Sequence, residues 1–207
     1  MAQATKLDLR RELKALYGPP AGRPVLVDVP ELAFLMVDSH GDPNLSQDYR
    51  DAVQALFTLS YAVRFAVKRA AGGLDYQVMP LEGLWWVDDM STFTIDDKTS
   101  WQWTALIAQP DLVTEELVEQ AVATASAKRP LPAVGRVRLE RFREGRAAQL
   151  LHRGPFSAEG PTIARLHGFI AEQGLARRGK HHEIYLTDFT RTAPERLKTV
   201  IRQPVAD

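Results

Sequence analysis

The chain has 207 residues, with 26 Lys plus Arg against 26 Asp plus Glu, and a formal net charge of zero at pH 7. That length allows one large domain, or two small fused halves, with a real core. The charge balance gives no reason to expect nucleic acid or an anionic membrane as the main partner, and the absence of cysteine excludes disulfides and Cys-based metal sites.

The N-terminus, Met1 to Leu16, is charged and amphipathic, with Leu7, Leu9, Leu13 and Leu16 on one stripe. It lacks the apolar core of a signal peptide, and no segment suits a bilayer span, so the expectation is a soluble cytoplasmic protein with no membrane contact. Residues 6–17 read as a short helix stopped by Gly18-Pro19-Pro20. Val25 to Val29 reads as an edge segment and Glu31 to Val37 as a strand, with Pro30 between them. Gly41-Asp42-Pro43-Asn44 is turn chemistry. A long helix then starts at an N-capping Ser46, repeats Tyr49, Val53, Leu56, Ser60, Val63 and Val67, and stops at Gly72-Gly73.

Tyr76 to Val87 reads as a strand kinked at Met79-Pro80, and Thr99 to Ala108 as a strand with Trp101, Trp103, Ala105 and Ile107 on one face. Thr114 caps a helix that ends at Lys128-Arg129-Pro130. Val134 to Phe142 and Ala147 to His152 suggest a hairpin about Arg143-Glu144-Gly145. Ser157 is expected to cap a further helix, which Gly174 closes. The strand His181-His182-Glu183-Ile184-Tyr185-Leu186 follows.

Strand, turn, capped helix and strand occur twice, in pseudo-repeats near residues 31–108 and 134–204. Overlaying 183–188 on 84–89 sets Tyr185 on Trp86 and Asp188 on Asp89, which suggests a duplication. Two such halves make one α+β domain, an antiparallel sheet with helices on one side and a cleft between the halves.

The last strand carries the most chemistry. Alternation puts His181, Glu183 and Tyr185 on one face and His182, Ile184 and Leu186 on the other. A glutamate in an apolar concavity should have a raised pKa and could bind a ligand or move a proton, with Tyr185 beside it. The plain alternative is a solvated carboxylate paired with an arginine from 136–153. Glu82, before Gly83, reads first as a loop or bulge residue and second as another site carboxylate. All four tryptophans lie in predicted strands, and Trp85 and Trp86 must face opposite ways. About half of the four suit ordinary core. Trp86, Trp101, Trp103 and Trp85 also suit a flat aromatic ligand. His152 sits in a strand and could line a pocket. The five histidines, His40, His152, His167, His181 and His182, show no metal-ligand spacing, so no metal and no cofactor is expected. The arginines from Arg136 to Arg153 are broken by Glu140 and Glu144 and read as a solvated strand face. No nucleophile-elbow or phosphate-loop pattern occurs.

Gly41-Asp42-Pro43-Asn44, Pro80-Leu81-Glu82-Gly83-Leu84-Trp85-Trp86, Trp101-Gln102-Trp103 through Gln109-Pro110-Asp111, and His182-Glu183-Ile184-Tyr185-Leu186 stand in an order and spacing that resembles the GyrI-like family. The likeness covers most of the chain and is greatest to stand-alone members without a DNA-binding segment. Ser39-His40 departs from it where a further glycine is expected. The resemblance implies duplicated βαββ halves around a cleft for hydrophobic, aromatic or cationic small molecules, with a strand glutamate inside it, here Glu183. It also implies two activities: hydrolases that open the cyclopropane of DNA-alkylating compounds in detoxification and self-resistance, and non-catalytic multidrug binders or sensors. In the first, Glu183 is the general base, Tyr185 a hydrogen-bond donor, and the tryptophans stack the substrate. A protein partner, such as a topoisomerase, is the weakest of the options.

Overall fold

The computed structural model describes residues 6–70, 74–95, 97–128 and 130–207. The expected helix stop at Gly72-Gly73 and Arg129 in the later stop lie outside the described residues. In chain order the elements are β1 (Lys6–Leu7), α1 (Leu9–Glu12), α2 (Lys14–Tyr17), β2 (Val25–His40), α3 (Gln47–Arg69), β3 (Asp75–Tyr76), β4 (Leu81–Trp86), β5 (Gln102–Gln109), α4 (Glu115–Lys128), β6 (Arg138–Arg153), α5 (Gly160–Glu172), β7 (Ala176–Arg177), β8 (His181–Tyr185) and β9 (Lys198–Ala206). Thus β2-α3-β4-β5 and β6-α5-β8-β9 are two βαββ halves. Among the described residues their strands run β6-β2-β5-β4-β8-β9, and β9 also pairs with β6. The antiparallel sheet therefore closes into a barrel, which removes its edges. No helix among the described residues is long and apolar enough to cross a membrane.

Several elements differ from the sequence reading. The N-terminal helix is two single turns meeting at Leu13. The segments around Pro30 are one strand. Pro30 is tolerated because β5 pairs only with Ala33–His40, so that stretch of β2 has β6 on one side alone. The strand expected over 76–87 is split before Pro80 into β3 and β4. The expected hairpin is also one strand, since residues on both sides of Arg143-Glu144-Gly145 pair with β2 rather than with each other. Gly145 does take a positive φ of 76°, but its role is different. Glu144 and Gln149 lie an odd number of positions apart, yet both bond Arg202. The glycine lets the strand exchange its faces between them.

The register defines two sides of the sheet. Val37, Ala105, Gly83 and Glu183 lie side by side on the outer face, with Leu35, Ile107 and Leu81 in the next row of the same face. There α3 covers β2 and β5 with Ala52, Leu56, Leu59 and Val63, all fully buried. Ser46 caps α3 by accepting the Tyr49 amide at 3.1 Å. On the other half α5 packs Leu166 and Ile170 on Ala148, Leu150 and Ile201. The exposed arginines of β6 form surface ion pairs, Arg138 with Asp38 and Glu140, and Arg141 with Glu31 and Asp111. These contribute little.

The barrel interior holds a closed polar network. His182 Nε2 faces Glu82 Oε2 at 2.9 Å and Nδ1 faces Glu144 Oε1 at 3.0 Å. Both ring nitrogens meet carboxyl oxygens, so both must donate and the ring is an imidazolium. Arg202 donates to Glu144 Oε2 at 3.1 Å, to Gln149 Oε1 at 3.0 Å and to the Leu16 carbonyl at 2.9 Å. Gln149 donates to the Ala15 carbonyl at 2.6 Å, and the Tyr17 hydroxyl to Glu82 at 2.6 Å. The N-terminal turns thus plug one end of the barrel. Burial would discharge His182, yet Glu144 and Glu82 raise its pKa to about 9. His182 and Arg202 in turn hold Glu144 down at about 2 against burial.

A raised histidine pKa stabilises the fold fully below the ordinary value of 6.5, and that contribution is lost as pH climbs through about 9. Urea unfolding should therefore show stability falling by roughly 3 kcal/mol across that window. His182→Ala should be about 3–5 kcal/mol less stable at neutral pH and lack that slope. A wild-type stability that stays constant through the window contradicts the imidazolium assignment.

Candidate functional site

On the outer face of the sheet a cavity of about 70 Å³ lies between the two halves. Its floor is β8, where Glu183 and Tyr185 emerge. Asn44 before α3 and Tyr49 in its first turn close one side, and Phe156 and Glu159 before α5 close the other. Glu183 and Tyr185 are both buried, and the Tyr185 hydroxyl donates to Glu183 Oε2 at 2.8 Å. His181 Nε2 lies 3.1 Å from Glu183 Oε1.

Burial alone would raise the pKa of Glu183. Hydrogen bonds from His181 and Tyr185, with the charge of Lys98, outweigh it and hold the carboxyl below its usual range. The expected upward shift is therefore reversed. It falls instead on Glu159, which sequence reading passed over. Burial first, and then the negative charge of Glu183, push Glu159 up to about 9, while the Thr199 hydroxyl and Lys98 act the other way. Glu159 Oε1 has no hydrogen-bond partner among the described residues. Tyr185 is raised well above its ordinary value by burial and by the Glu183 charge, so it stays a phenol. The cavity thus holds one ionised and one protonated carboxyl at neutral pH.

Pro161 marks a helix start, which places Glu159 at the N-terminal end of that helix but does not mark it as a site residue. The helix begins at Gly160 with Pro161 in its first turn, and Glu159 is its N-cap residue with no capping bond from its side chain. The expected cap, Ser157, lies in a preceding 3₁₀ turn.

Two of the four tryptophans line the cavity. Trp85 and Trp101 have ring centroids 5.3 Å apart, and Phe93 stacks on Trp101 at 4.9 Å. Lys98 Nζ sits 4.9 Å from the Trp101 ring. Trp103 is fully buried beneath Tyr49, outside the cavity. Trp86 points to the opposite side of the sheet, where Lys180 Nζ stands 3.3 Å from its ring centroid. The overlay of Tyr185 on Trp86 is thus one residue out of step. Gly83 pairs with Glu183, and it is Trp85 that shares the face of Tyr185. Glu82 is in the barrel network, and His152 is engaged by Thr162 Oγ1 at 2.9 Å and the Pro155 carbonyl at 3.2 Å. Neither reaches the cavity. Among the described residues no group of three or more His, Asp or Glu is placed to hold a metal ion.

The Leu81-Glu82-Gly83-Leu84-Trp85-Trp86 motif has a local explanation. A Cβ on Gly83 would lie 2.6 Å from Trp85 Cζ2. The glycine lets the indole fold flat over its own strand and form the cavity wall.

The fold and this pocket define a small-molecule-binding α+β protein with a buried acid pair. The chain belongs to the GyrI-like family: the model of the GyrI-like small-molecule-binding domain matches residues 23–206. Among solved structures it is similar to an uncharacterised conserved protein from Listeria innocua, at 41% identity and TM-score 0.89, covering 97% of this chain and 100% of that one. It is also similar to a protein described as a hydrolase from Listeria innocua, at 39% identity and TM-score 0.87, covering 98% and 100%. The C-terminal domain of EcmrR shares the fold at 11% identity and TM-score 0.57, over 89% of this chain and 98% of that one. No curated protein matches the sequence.

Gly83→Ala should displace the Trp85 ring and cost about 1–3 kcal/mol of stability. Near-ultraviolet circular dichroism should change with it, and an unchanged spectrum at wild-type stability contradicts the close-approach role.

Proposed function

We propose that this protein is a hydrolase that detoxifies cyclopropane-bearing alkylators by adding water and opening the strained ring. The observation that carries the reading is the acid pair, with Glu183 ionised and Glu159 protonated in one aromatic-walled cavity. Two carboxyls whose environments drive their pKa values apart are suited to serve as base and acid in one reaction. The hydrolase description of the Listeria innocua protein, a relative at 39% identity, agrees with it.

In this reading a flat cyclopropyl dienone stacks against Trp85 and Trp101. Glu183 takes a proton from water as the water oxygen bonds to a ring carbon. The carbon–carbon bond breaks, and its electron pair flows into the dienone to give an aromatic phenolate. Glu159 donates its proton to that oxygen. A proton passing from Glu183 to Glu159 restores the pair, and the balance is addition of one water. Tyr185 is already committed to Glu183, so its part is to hold the base in place. His181 does the same from the other oxygen. Lys98 adds positive charge near the developing anion.

A second reading, a non-catalytic binder or sensor, draws on the same ionised Glu183 among aromatic rings, which would suit a ligand cation. The two separate on turnover. Mass spectrometry of a spirocyclopropyl dienone incubated with the protein should show water added. Glu183→Gln should lower kcat by about 10²–10⁴-fold, and wild-type kcat should fall as pH passes about 9, where Glu159 ionises. Equal rates for wild type and Glu183→Gln contradict the role of the base, and binding without turnover favours the second reading.

A further inference from the structure

The inward face of β4 runs Glu82, Leu84, Trp86. Glu82 belongs to the network that the N-terminal turns close off, so Trp86 stands at the other end of the barrel. A cavity of about 600 Å³ opens there, with a floor of Met36, Leu84 and Phe142 and a wall of Trp86. A second of about 620 Å³ adjoins it, and Trp86 and Lys180 are walls of both. Each has the volume of a small-molecule site. Neither shares a lining residue with the cavity of the acid pair.

Three cations from the turn between β7 and β8 border the second cavity: Arg177, Arg178 and Lys180. Among the described residues that line it, none is Asp or Glu. What each cation bonds is neutral. Arg178 donates to the Val205 carbonyl at 2.9 Å and to the Glu144 backbone carbonyl at 2.6 Å. Arg177 reaches His167 Nδ1 at 3.0 Å, and burial, then the Arg177 charge, hold that ring down at about 4, so it is uncharged at neutral pH. Lys180 lies on the Trp86 ring. By contrast Arg138, Arg141 and Arg202 each meet a carboxylate. The positive charge of this turn is thus left without a local counter-charge, in a chain whose net charge is zero.

The turn is also held in place. Gly179 supplies a positive φ of 62°, the Gln203 side chain donates to the Arg178 carbonyl at 2.7 Å, and the Arg178 amide donates to the Pro204 carbonyl at 2.9 Å. The register that sets Trp85 opposite His181 brings Lys180 beside Trp86. Burial pulls the Lys180 ammonium below its ordinary range, although Asp38 acts the other way. Asp38 and Glu140 are themselves taken up by Arg138. Lys180 is a half-buried cation held by an indole, with no hydrogen bond or ion pair among the described residues. It is short of an anion.

We propose that this mouth of the barrel is a second ligand site, for a small aromatic anion. Its ring lies on the shelf of Trp86, Met36, Leu84 and Phe142, and its acid group is held by Lys180, Arg177 and Arg178. The inference is independent of the hydrolase reading, because no residue of the acid pair takes part in it.

The test is calorimetric titration of the full chain with 2-naphthoate, an aromatic carboxylate ionised at neutral pH, against its uncharged amide. The acid should bind with a Kd of about 1 mM or tighter, and the amide about tenfold more weakly or worse. Added salt should weaken the acid and leave the amide unchanged. Lys180→Gln changes a side chain on a surface turn, so it keeps the fold, and should cost the acid about tenfold in affinity. Trp86→Leu should weaken both compounds. In the two-dimensional proton–nitrogen spectrum the indole N–H of Trp86, assigned by its loss in Trp86→Leu, should shift most. Absence of binding, equal affinity for acid and amide, or wild-type affinity in Lys180→Gln overturns the proposal. A larger shift at Trp85 or Trp101 places the compound in the acid cavity and also overturns it.

Discussion

The site depends on a single strand that is buried on both faces. Alternation along β8 sends His182 into the barrel and His181, Glu183 and Tyr185 into the cleft, and all four are buried. A buried carboxyl can be held in register only if the strand beneath it cannot slip. His182 supplies that constraint by bridging Glu82 of β4 and Glu144 of β6. A slip of one residue would put Glu183 against the network and His182 into the cleft, leaving buried polar groups unpaired on both sides. The polar interior of the barrel thus fixes the position of the polar cleft outside it.

The same network ties the N-terminal turns to both halves. Arg202 joins Glu144 and Gln149 to the Leu16 carbonyl, and Tyr17 reaches Glu82. Inside the barrel every carboxyl has a cationic partner. In the cleft the pairing is incomplete, since Glu183 has its donors while Glu159 has an oxygen with none. That imbalance drives the two cleft acids apart in pKa, and it is the feature a proton-transfer site needs. Trp85, lying flat because residue 83 is glycine, and Trp101 keep the surroundings apolar enough for the difference to persist.

Much of the fold was legible in the sequence. The Ser46 cap and the periodic run from Tyr49 to Val67 marked α3, and alternation marked the two faces of β8. What local patterns missed was set by distant partners. Pro30 and Gly145 both carry breaker chemistry, yet each sits inside a long strand because the neighbouring strand runs past it. Barrel closure through β6 and β9 is likewise a long-range pairing with no local mark. At the site, Glu183 and Tyr185 were legible as strand residues that share a face, while which tryptophans join them was not, and the overlay pointed to Trp86 rather than Trp85. Glu159 was not, because its importance comes from its distance to Glu183 across the cleft rather than from its own neighbours in the chain. Trp86 and Trp103 were indistinguishable from cleft residues by type: the register turns Trp86 to the other face, and Trp103, opposite Trp85 on the same face, is shut off by Tyr49 of α3.

Neutron diffraction on deuterium-exchanged crystals at neutral pH reads the charge arrangement directly. The account predicts a deuteron on the Glu159 carboxyl, deuterons on both ring nitrogens of His182, and none on Glu183. A deuteron on Glu183 beside a bare Glu159, or a His182 ring with a single deuteron, would contradict it.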